Sequence, residues 1–379
     1  MAEGNCHVSC NQCISLTDKF WKVYDGAYFA AYYVFAPLFF VCGLPGHLFC
    51  LVAFAKEARK ESAYFYQVFI ALSQATEVIS YTFYVLTLKW SSGVERDSSV
   101  WFRNNYFLVW YTARLATPIY NMSITTSLLL SLCMAADRFW ALYRPHTYKL
   151  WNHRRNRVIA LAVSVILGVS TSLFAVLRYR IERDNDGADG RYRIILDLQY
   201  ASAMSTSVLS HLRNIVRMTA LILLVVCSSI NLKLFRRRVM KVSFNVNANV
   251  AGPSNSRGRK KAQVQMEAER TLFILVIVES TLTALGIATL TSYFFAIFTT
   301  PVFAKCGGLL MIPLVDIVLT MANMSKFCII SAVDAKFRRM IFRACTKRVS
   351  SDSPVAAGAE QQTAAVTHVR HGNMTTIDD

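Results

Sequence analysis

Asp137 and Arg138 close a long apolar run, Phe107 to Met134, within the stretch Ala135-Ala136-Asp137-Arg138-Phe139-Trp140. A carboxylate beside a guanidinium at such a boundary can form a pair that opens and recloses, because Arg keeps its charge in both states. Pro145 and Tyr148 follow, seven and ten residues after Arg138. Other charges fall inside apolar stretches, where charge is costly and marks function: Glu77, with Gln74 nearby, then Glu279 and Lys326. Arg114 lies inside the Phe107 to Met134 run, Arg213 and Arg217 stand at the end of another apolar stretch, and clustered guanidiniums suit an anionic group. Cys6, Cys10, Cys13 and Cys306 are thiols outside the apolar cores of these stretches. The histidines, His7, His47, His146, His153, His211, His368 and His371, are scattered. No metal-ligand or catalytic cluster emerges, so neither an enzyme nor a cofactor is expected.

The elements that carry these residues are long and oily. Apolar residues make up 54% of the chain and charged residues 17%, outside the range of ordinary soluble domains. Runs of about 20 apolar residues span a hydrocarbon core of roughly 30 Å. Seven such segments read from the sequence: 28–55, 64–88, 106–136, 158–178, 213–235, 271–298 and 307–333. Barrel strands would be about ten residues long and alternating, so helices are expected. Residues 1–27 are polar and the first apolar segment is too long for a cleavable leader. No repeat and no nucleotide-binding glycine pattern is evident. The expected fold is an all-α membrane protein, a seven-transmembrane helix bundle over 28–335 followed by a short amphipathic helix at 336–348. In that last piece Phe337, Met340, Ile341, Phe342 and Ala344 interleave with Lys336, Arg338, Arg339 and Arg343, the pattern of a helix lying on the inner leaflet. Cys345 there is suited to palmitoylation, or is an idle or buried thiol. The loop 239–266 and the tail 349–379 read as disordered, and 1–27 as an extracellular tail.

A net charge of +18 raises the question of nucleic acid, and its distribution answers it. Lys and Arg concentrate in 56–63, 138–157, 236–270 and 336–348, whereas 179–202 balances Arg180, Arg183, Arg191 and Arg193 against Glu182, Asp184, Asp186, Asp189 and Asp197. The excess falls on alternate loops. The positive-inside rule makes that side cytoplasmic and the N-terminus extracellular, in the plasma membrane. Anionic lipids are the partner of such loops, and nucleic acid is not expected.

The intramembrane charges have matching depths. Glu279 lies about eight residues into the sixth segment and Lys326 about seven from the end of the seventh, both roughly 10–12 Å deep. An ion pair between them is one reading. Glu77, about 16–20 Å deep in the second segment, is the rival partner for Lys326. Snorkelling of Lys326 to the interface is the third reading. If Arg114, Arg213 and Arg217 face inward they form a cationic rim. Alternatively they pair with the acidic residues of 179–202 or meet lipid headgroups. Tyr28, Tyr32, Tyr33, Trp90, Trp101, Tyr106 and Trp110 read mostly as an interface belt, with some available to line a pocket.

Asp137-Arg138-Phe139 with Pro145 and Tyr148 resembles the inner end of the third helix of rhodopsin-like (class A) G-protein-coupled receptors. Further segments resemble the same family. Gly43-Leu44-Pro45-Gly46-His47 is similar to its helix-1 Gly-Asn pair with His47 in place of Asn. Ile70-Ala71-Leu72-Ser73-Gln74 is similar to its Leu-Ala-x-x-Asp motif with Gln74 at the Asp, or Thr76 or Glu77 by a shifted reading. Ser228-Ser229-Ile230-Asn231 before Arg236-Arg237-Arg238, Glu267-Ala268-Glu269-Arg270-Thr271, and Lys336-Phe337-Arg338-Arg339 resemble the end of helix 5, the start of helix 6 and the start of the surface helix. The chain departs at helix 7, where Asn-Pro-x-x-Tyr reads Lys326-Phe327-Cys328-Ile329-Ile330. No Cys lies between Cys50 and Cys133 or between Cys133 and Cys227, so the family's bridge from helix 3 to the second outer loop cannot form. The pattern is similar to divergent invertebrate branches, FMRFamide-type peptide receptors or nematode-type chemoreceptors.

This resemblance implies a receptor that passes binding of an extracellular ligand, a neuropeptide or a chemosensory molecule, to heterotrimeric G proteins. Arrestin and receptor kinases are implied as further partners. It assigns Arg138 to the base of a G-protein cleft. Tyr120 stands where amine-binding relatives carry Asp, which argues against a biogenic amine, and Thr320 occupies the stretch of the opsin Lys. With the N-terminus outside, Cys6, Cys10, Cys13 and Cys306 sit in an oxidising compartment. They can bridge the tail to Cys306 or pair within the tail. The remaining cysteines, 42, 50, 133, 227 and 328, read as packing residues. The sequons at Asn121, Asn323 and Asn373 fall in membrane or cytoplasm by this topology. Two alternatives stay open: a receptor-like protein that does not couple, and a membrane transporter.

Overall fold

A computed structural model describes residues 22–58, 62–86, 104–151, 153–176, 179–183, 192–196, 204–248, 274, 276–278, 280–285, 307–333 and 337–339. Nearly all of these are helical. We label the long elements α1 (Lys22–Ala55), α2 (Ser62–Tyr84), α3 (Tyr106–Tyr143), α4 (Pro145–Trp151), α5 (Arg154–Ser170), α6 (Met204–Ala248) and α7 (Gly307–Val333). A turn of 3-10 helix, Leu173–Val176, follows α5. The sequence marks 179–202 only by its charge balance. The structure pairs β1 (Tyr179–Arg183) with β2 (Tyr192–Leu196) as an antiparallel hairpin, Ile181 opposite Ile194.

Local sequence sets the irregularities. Proline lacks the N–H that closes a helical turn, so the chain before it must rearrange. In α1, the π-helical stretches Ala30–Phe35 and Phe39–Gly43 precede Pro37 and Pro45. In α3, the π stretch Thr112–Ala116 precedes Pro118, and the Thr117 hydroxyl donates to the Thr112 carbonyl at 3.0 Å. Asn105 caps α3, its side chain accepting from the Leu108 amide at 3.3 Å. At the other end, Arg338 donates to the carbonyls of Ser331 and Ala332 at 2.9 and 2.6 Å, satisfying the last turn of α7.

α3 runs against α2, α5 and α6, while α7 packs on α1. Two close approaches depend on glycine. A Cβ at Gly168 of α5 would collide with Thr126 Oγ1 of α3, and one at Gly46 of α1 would lie 3.1 Å from Phe327 Cβ of α7. The main core joins Phe54, Ile70, Leu128, Met134, Leu224 and Phe337. Phe337 packs its ring 5.2 Å from Phe54, so the described turn 337–339 is anchored to the bundle. A second core gathers Tyr32, Phe39, Val78, Tyr81 and Val85 around the opposite end.

Polarity runs inside out. Ile166, Ile215 and Ile222 are 64%, 61% and 58% exposed, while Gln67, Gln74, Ser123, Ser131 and Asn231 are buried. Polar side chains inside a bundle and aliphatic ones outside suit hydrocarbon as the surroundings. Among the described residues, five helices are long and apolar enough to cross a membrane: Lys22–Ala55, Tyr106–Tyr143, Arg154–Val176, His211–Arg237 and Pro313–Ala332. α2 is 23 residues long but carries Gln67, Ser73, Gln74, Thr76, Glu77 and Ser80, which lower its hydropathy. Of the sixth expected segment, a short apolar helix over Val276–Leu285 is described. Glu279, Cys6, Cys10, Cys13, Cys306, Cys345 and the rest of 339–379 beyond Arg339 lie outside the described residues. Cys50 is buried in the core, Cys133 and Cys227 pack against it, and Cys42 and Cys328 face outward.

Candidate functional site

Asp137 and Arg138 sit near the end of α3 where α2 begins. Ser62, the first residue of α2, donates its hydroxyl to Asp137 Oδ2 at 2.6 Å. Tyr148 of α4 donates to the same carboxylate at 3.1 and 3.3 Å. Arg138 Nη2 donates to Ser62 Oγ at 3.0 Å, and its Nε lies 3.6 Å from Asp137 Oδ2. The guanidinium therefore reaches the carboxylate directly by charge and through the serine by hydrogen bonds. Asp137 also lies at the N-terminus of α2, whose dipole favours an anion. Burial, and then Asp137 itself, push the Tyr148 hydroxyl up from the ordinary tyrosine range, so it remains a donor. Phe139 points elsewhere, its ring stacking 5.5 Å from Tyr143. Nearby, Asn231 of α6 donates to the Ala135 carbonyl at 2.8 Å and ties α6 to this end of α3. The sequence singles out Asp137, Arg138 and Tyr148, and carries no local signal that Ser62 completes the set.

The buried charges in mid-bundle are arranged around α7. Glu77 is 3% exposed and accepts from Asn323 Nδ2 at 2.9 Å. Lys326, three residues on, is 4% exposed, enclosed by the bundle, and acts electrostatically on His47 of α1. Gln74 is buried one turn before Glu77. Asn323 enters this network through its amide, and no local pattern in the sequence marks it for that role.

The three outer-segment arginines separate into two places. Arg114 donates to the Val176 carbonyl at 2.8 Å, holding the turn after α5 to α3. Arg213 and Arg217 come together on Asn121: Arg213 Nη1 bonds its side-chain oxygen at 3.2 Å, and Arg217 Nη2 its carbonyl at 2.8 Å. Arg217 Nε also donates to Thr125 at 2.9 Å, and Arg213 lies over the Phe174 ring at 5.1 Å. Both are buried between α3 and α6.

A further intramembrane charge belongs to α7. Asp316, on α7, accepts from the Tyr32 hydroxyl of α1 at 2.6 Å. Its carboxylate also acts on Tyr81 and Tyr120 of α2 and α3. The rings of Tyr81 and Tyr120 are 5.5 Å apart, and those of Tyr84 and Tyr120 stack 6.3 Å apart at 8°. The intramembrane-charge signal that marks Glu279 and Lys326 applies equally to Asp316. Among the described residues no group of three or more metal-binding side chains converges.

No known protein family matches the chain, and no curated protein matches it by sequence.

Proposed function

We propose that this chain is a seven-span receptor of the rhodopsin-like kind, with its N-terminus outside, that passes an extracellular binding event to heterotrimeric G proteins. The observation that carries the reading is the Asp137–Arg138–Ser62–Tyr148 cluster at the junction of α2, α3 and α4. It is a closed arrangement with an alternative: the guanidinium can leave the serine and the carboxylate without losing its charge. Basic loops supply the cytoplasmic side of the scheme, and the polar network of Glu77, Asn323 and Lys326 supplies a buried element joining α2 and α7. The tyrosines and arginines at the far end of the bundle supply the ligand side. Arrestin and receptor kinases are partners of the same surface, and Cys345 is a candidate lipid anchor after α7.

The test is activation of a panel of heterotrimers by the full chain in cells, compared with Arg138→Ala at matched surface expression. The expected result is basal or ligand-driven heterotrimer dissociation for the wild type, reduced at least about tenfold in the variant, with surface level retained. A 1.4 kcal/mol change in the coupled state suffices for that factor. Equal signalling from both proteins removes Arg138 from the mechanism. Absence of coupling to every heterotrimer favours the non-coupling alternative, and ligand-dependent substrate flux favours a transporter.

A further inference from the structure

The arginines that open α5 stand where helix physics gives them no local reason to be. Arg154, Arg155 and Arg157 fall in the first turn, at the positive end of the helix dipole, which disfavours cations. No acidic residue shares that turn, and no side chain caps it. Arg154 is also the first residue of a helix long and apolar enough to cross a membrane, and Val158 and Ile159 just beyond it are exposed. Two of the three arginines border one cavity. It measures about 430 Å³, and its described lining is Arg154, Arg157, Phe65 of α2 and Ala58 just after α1. Ligand pockets run from about 300 to 1,000 Å³, so the space suffices for a small group. The Arg157 guanidinium lies over the Phe65 ring, 5.5 Å from its centroid, and its Nε is buried with no hydrogen-bond partner. A guanidinium held on an aromatic face keeps its N–H edge for an anion. Among the described residues, neither Arg154 nor Arg157 has a carboxylate partner. Arg155 is exposed and does not line the cavity.

We propose that this cavity binds the phosphomonoester headgroup of an inner-leaflet lipid, with Arg154 and Arg157 as its cationic pair. A phosphomonoester carries about −1.5 to −2 charges at neutral pH, so two guanidiniums match it. A carboxylate or a phosphodiester, with one charge, would leave one of them unanswered. The planar fork of Arg matches phosphate oxygens with two parallel N–H donors, and the uncapped start of α5 adds backbone donors and a favourable dipole. Basic pockets between spans on the cytoplasmic side hold phosphorylated lipid headgroups in general. Position favours a lipid over dissolved phosphate. The cavity lies where α5 enters the hydrocarbon, with the exposed aliphatic side chains of Val158 and Ile159 next along the chain. The receptor reading supplies the leaflet and nothing else, and the inference goes beyond it by adding a lipid ligand with its own residues.

The test uses the purified full-length chain in phosphatidylcholine nanodiscs carrying phosphatidic acid, or phosphatidylserine at equal total charge. It reads retained lipid by native mass spectrometry and stability by thermal unfolding. Phosphatidic acid should bind at least about tenfold more tightly than phosphatidylserine. Arg157→Gln should weaken it about 10- to 100-fold, the range of a charge-assisted hydrogen bond, and Arg154→Gln, at an exposed position, about 3- to 10-fold. Arg157→Lys keeps the charge without the fork and should recover only part of the loss. Arg155→Gln removes the same charge from the same turn outside the cavity, and should change binding less than about twofold. In plain phosphatidylcholine, Arg154→Gln and Arg155→Gln should unfold like the wild type, so a folding defect cannot stand in for lost binding. Equal retention of the two lipids, or equal losses from Arg154→Gln and Arg155→Gln, reduces the effect to surface charge and overturns the proposal. Inorganic phosphate at about 10 mM, the range that so small a group needs, should stabilise the protein in plain discs less than the lipid does. Equal stabilisation overturns the lipid as the source. Neither measurement involves a G protein, so a failure of coupling and a failure of this site are separate results.

Discussion

Ser62 is the smallest member of the Arg138 cluster and bears on two charged partners at once. Its hydroxyl donates to Asp137 at 2.6 Å and accepts from Arg138 at 3.0 Å. No other described side chain bridges the two in this way. Ser62→Ala should therefore cost about 1.5–3 kcal/mol of stability, the value of a hydrogen bond to a charged group, since Ser62 is buried. It should also raise basal heterotrimer activation, because Arg138 keeps only its 3.6 Å ionic contact with Asp137. Thermal unfolding of the purified protein and heterotrimer dissociation in cells check both halves. An unchanged basal level in a destabilised protein would make Ser62 a packing residue alone. Asp137 and Arg138 are legible in sequence because they end an apolar run. Ser62 is not, since serine is common throughout α2 and only the meeting of two helices distinguishes this one.

Single elements were legible to the extent that each carries its own signal. Apolar length marks α1, α3, α5, α6 and α7, and the structure gives helices in those places. The π-helical stretches follow from prolines that a pattern search reads only as punctuation. Convergence between elements is a different matter. Arg114, Arg213 and Arg217 look alike in sequence, yet one holds the turn after α5 while the others share Asn121. Asp316 shows its charge in the sequence, but the four tyrosines around it come from helices whose rotations no local pattern fixes. The same limit governs Lys326. If it pairs with Glu279, breaking one partner of a buried pair should cost about 3–5 kcal/mol, and removing both should be nearly neutral. A cycle of Lys326→Met and Glu279→Gln, read by thermal unfolding and surface expression, measures this. Additivity within about 0.5 kcal/mol removes the pair. The same cycle with Glu77→Gln then measures the rival, which Asn323 already brings beside α7.

At the scale of the whole molecule, the proposed receptor needs seven crossings with alternate loops on alternate sides. α2 and the segment around Val276–Leu285 decide it, because the other five helices also give an odd number of crossings and leave both termini where they are. The faces would nevertheless be exchanged. With only those five crossings, the basic stretch 144–157 and the loop 239–266 would face outward and the 179–196 hairpin inward. Arg138 would then stand outside and Asp316 would lose its partner tyrosines on α2. Charge distribution argues against that arrangement, since Arg154, Arg155, Arg157 and Arg236 to Arg238 would all lie on the translocated side. Protease-cleavable epitope tags placed at residue 2, within 92–98, within 239–266 and after Asp379 of the full chain, probed on intact and permeabilised cells, distinguish the two. With seven crossings, the tags at residue 2 and within 92–98 are reached on intact cells, and those within 239–266 and after Asp379 are reached only after permeabilisation. A tag within 239–266 that is cleaved on intact cells, or one within 92–98 that is protected, contradicts that arrangement.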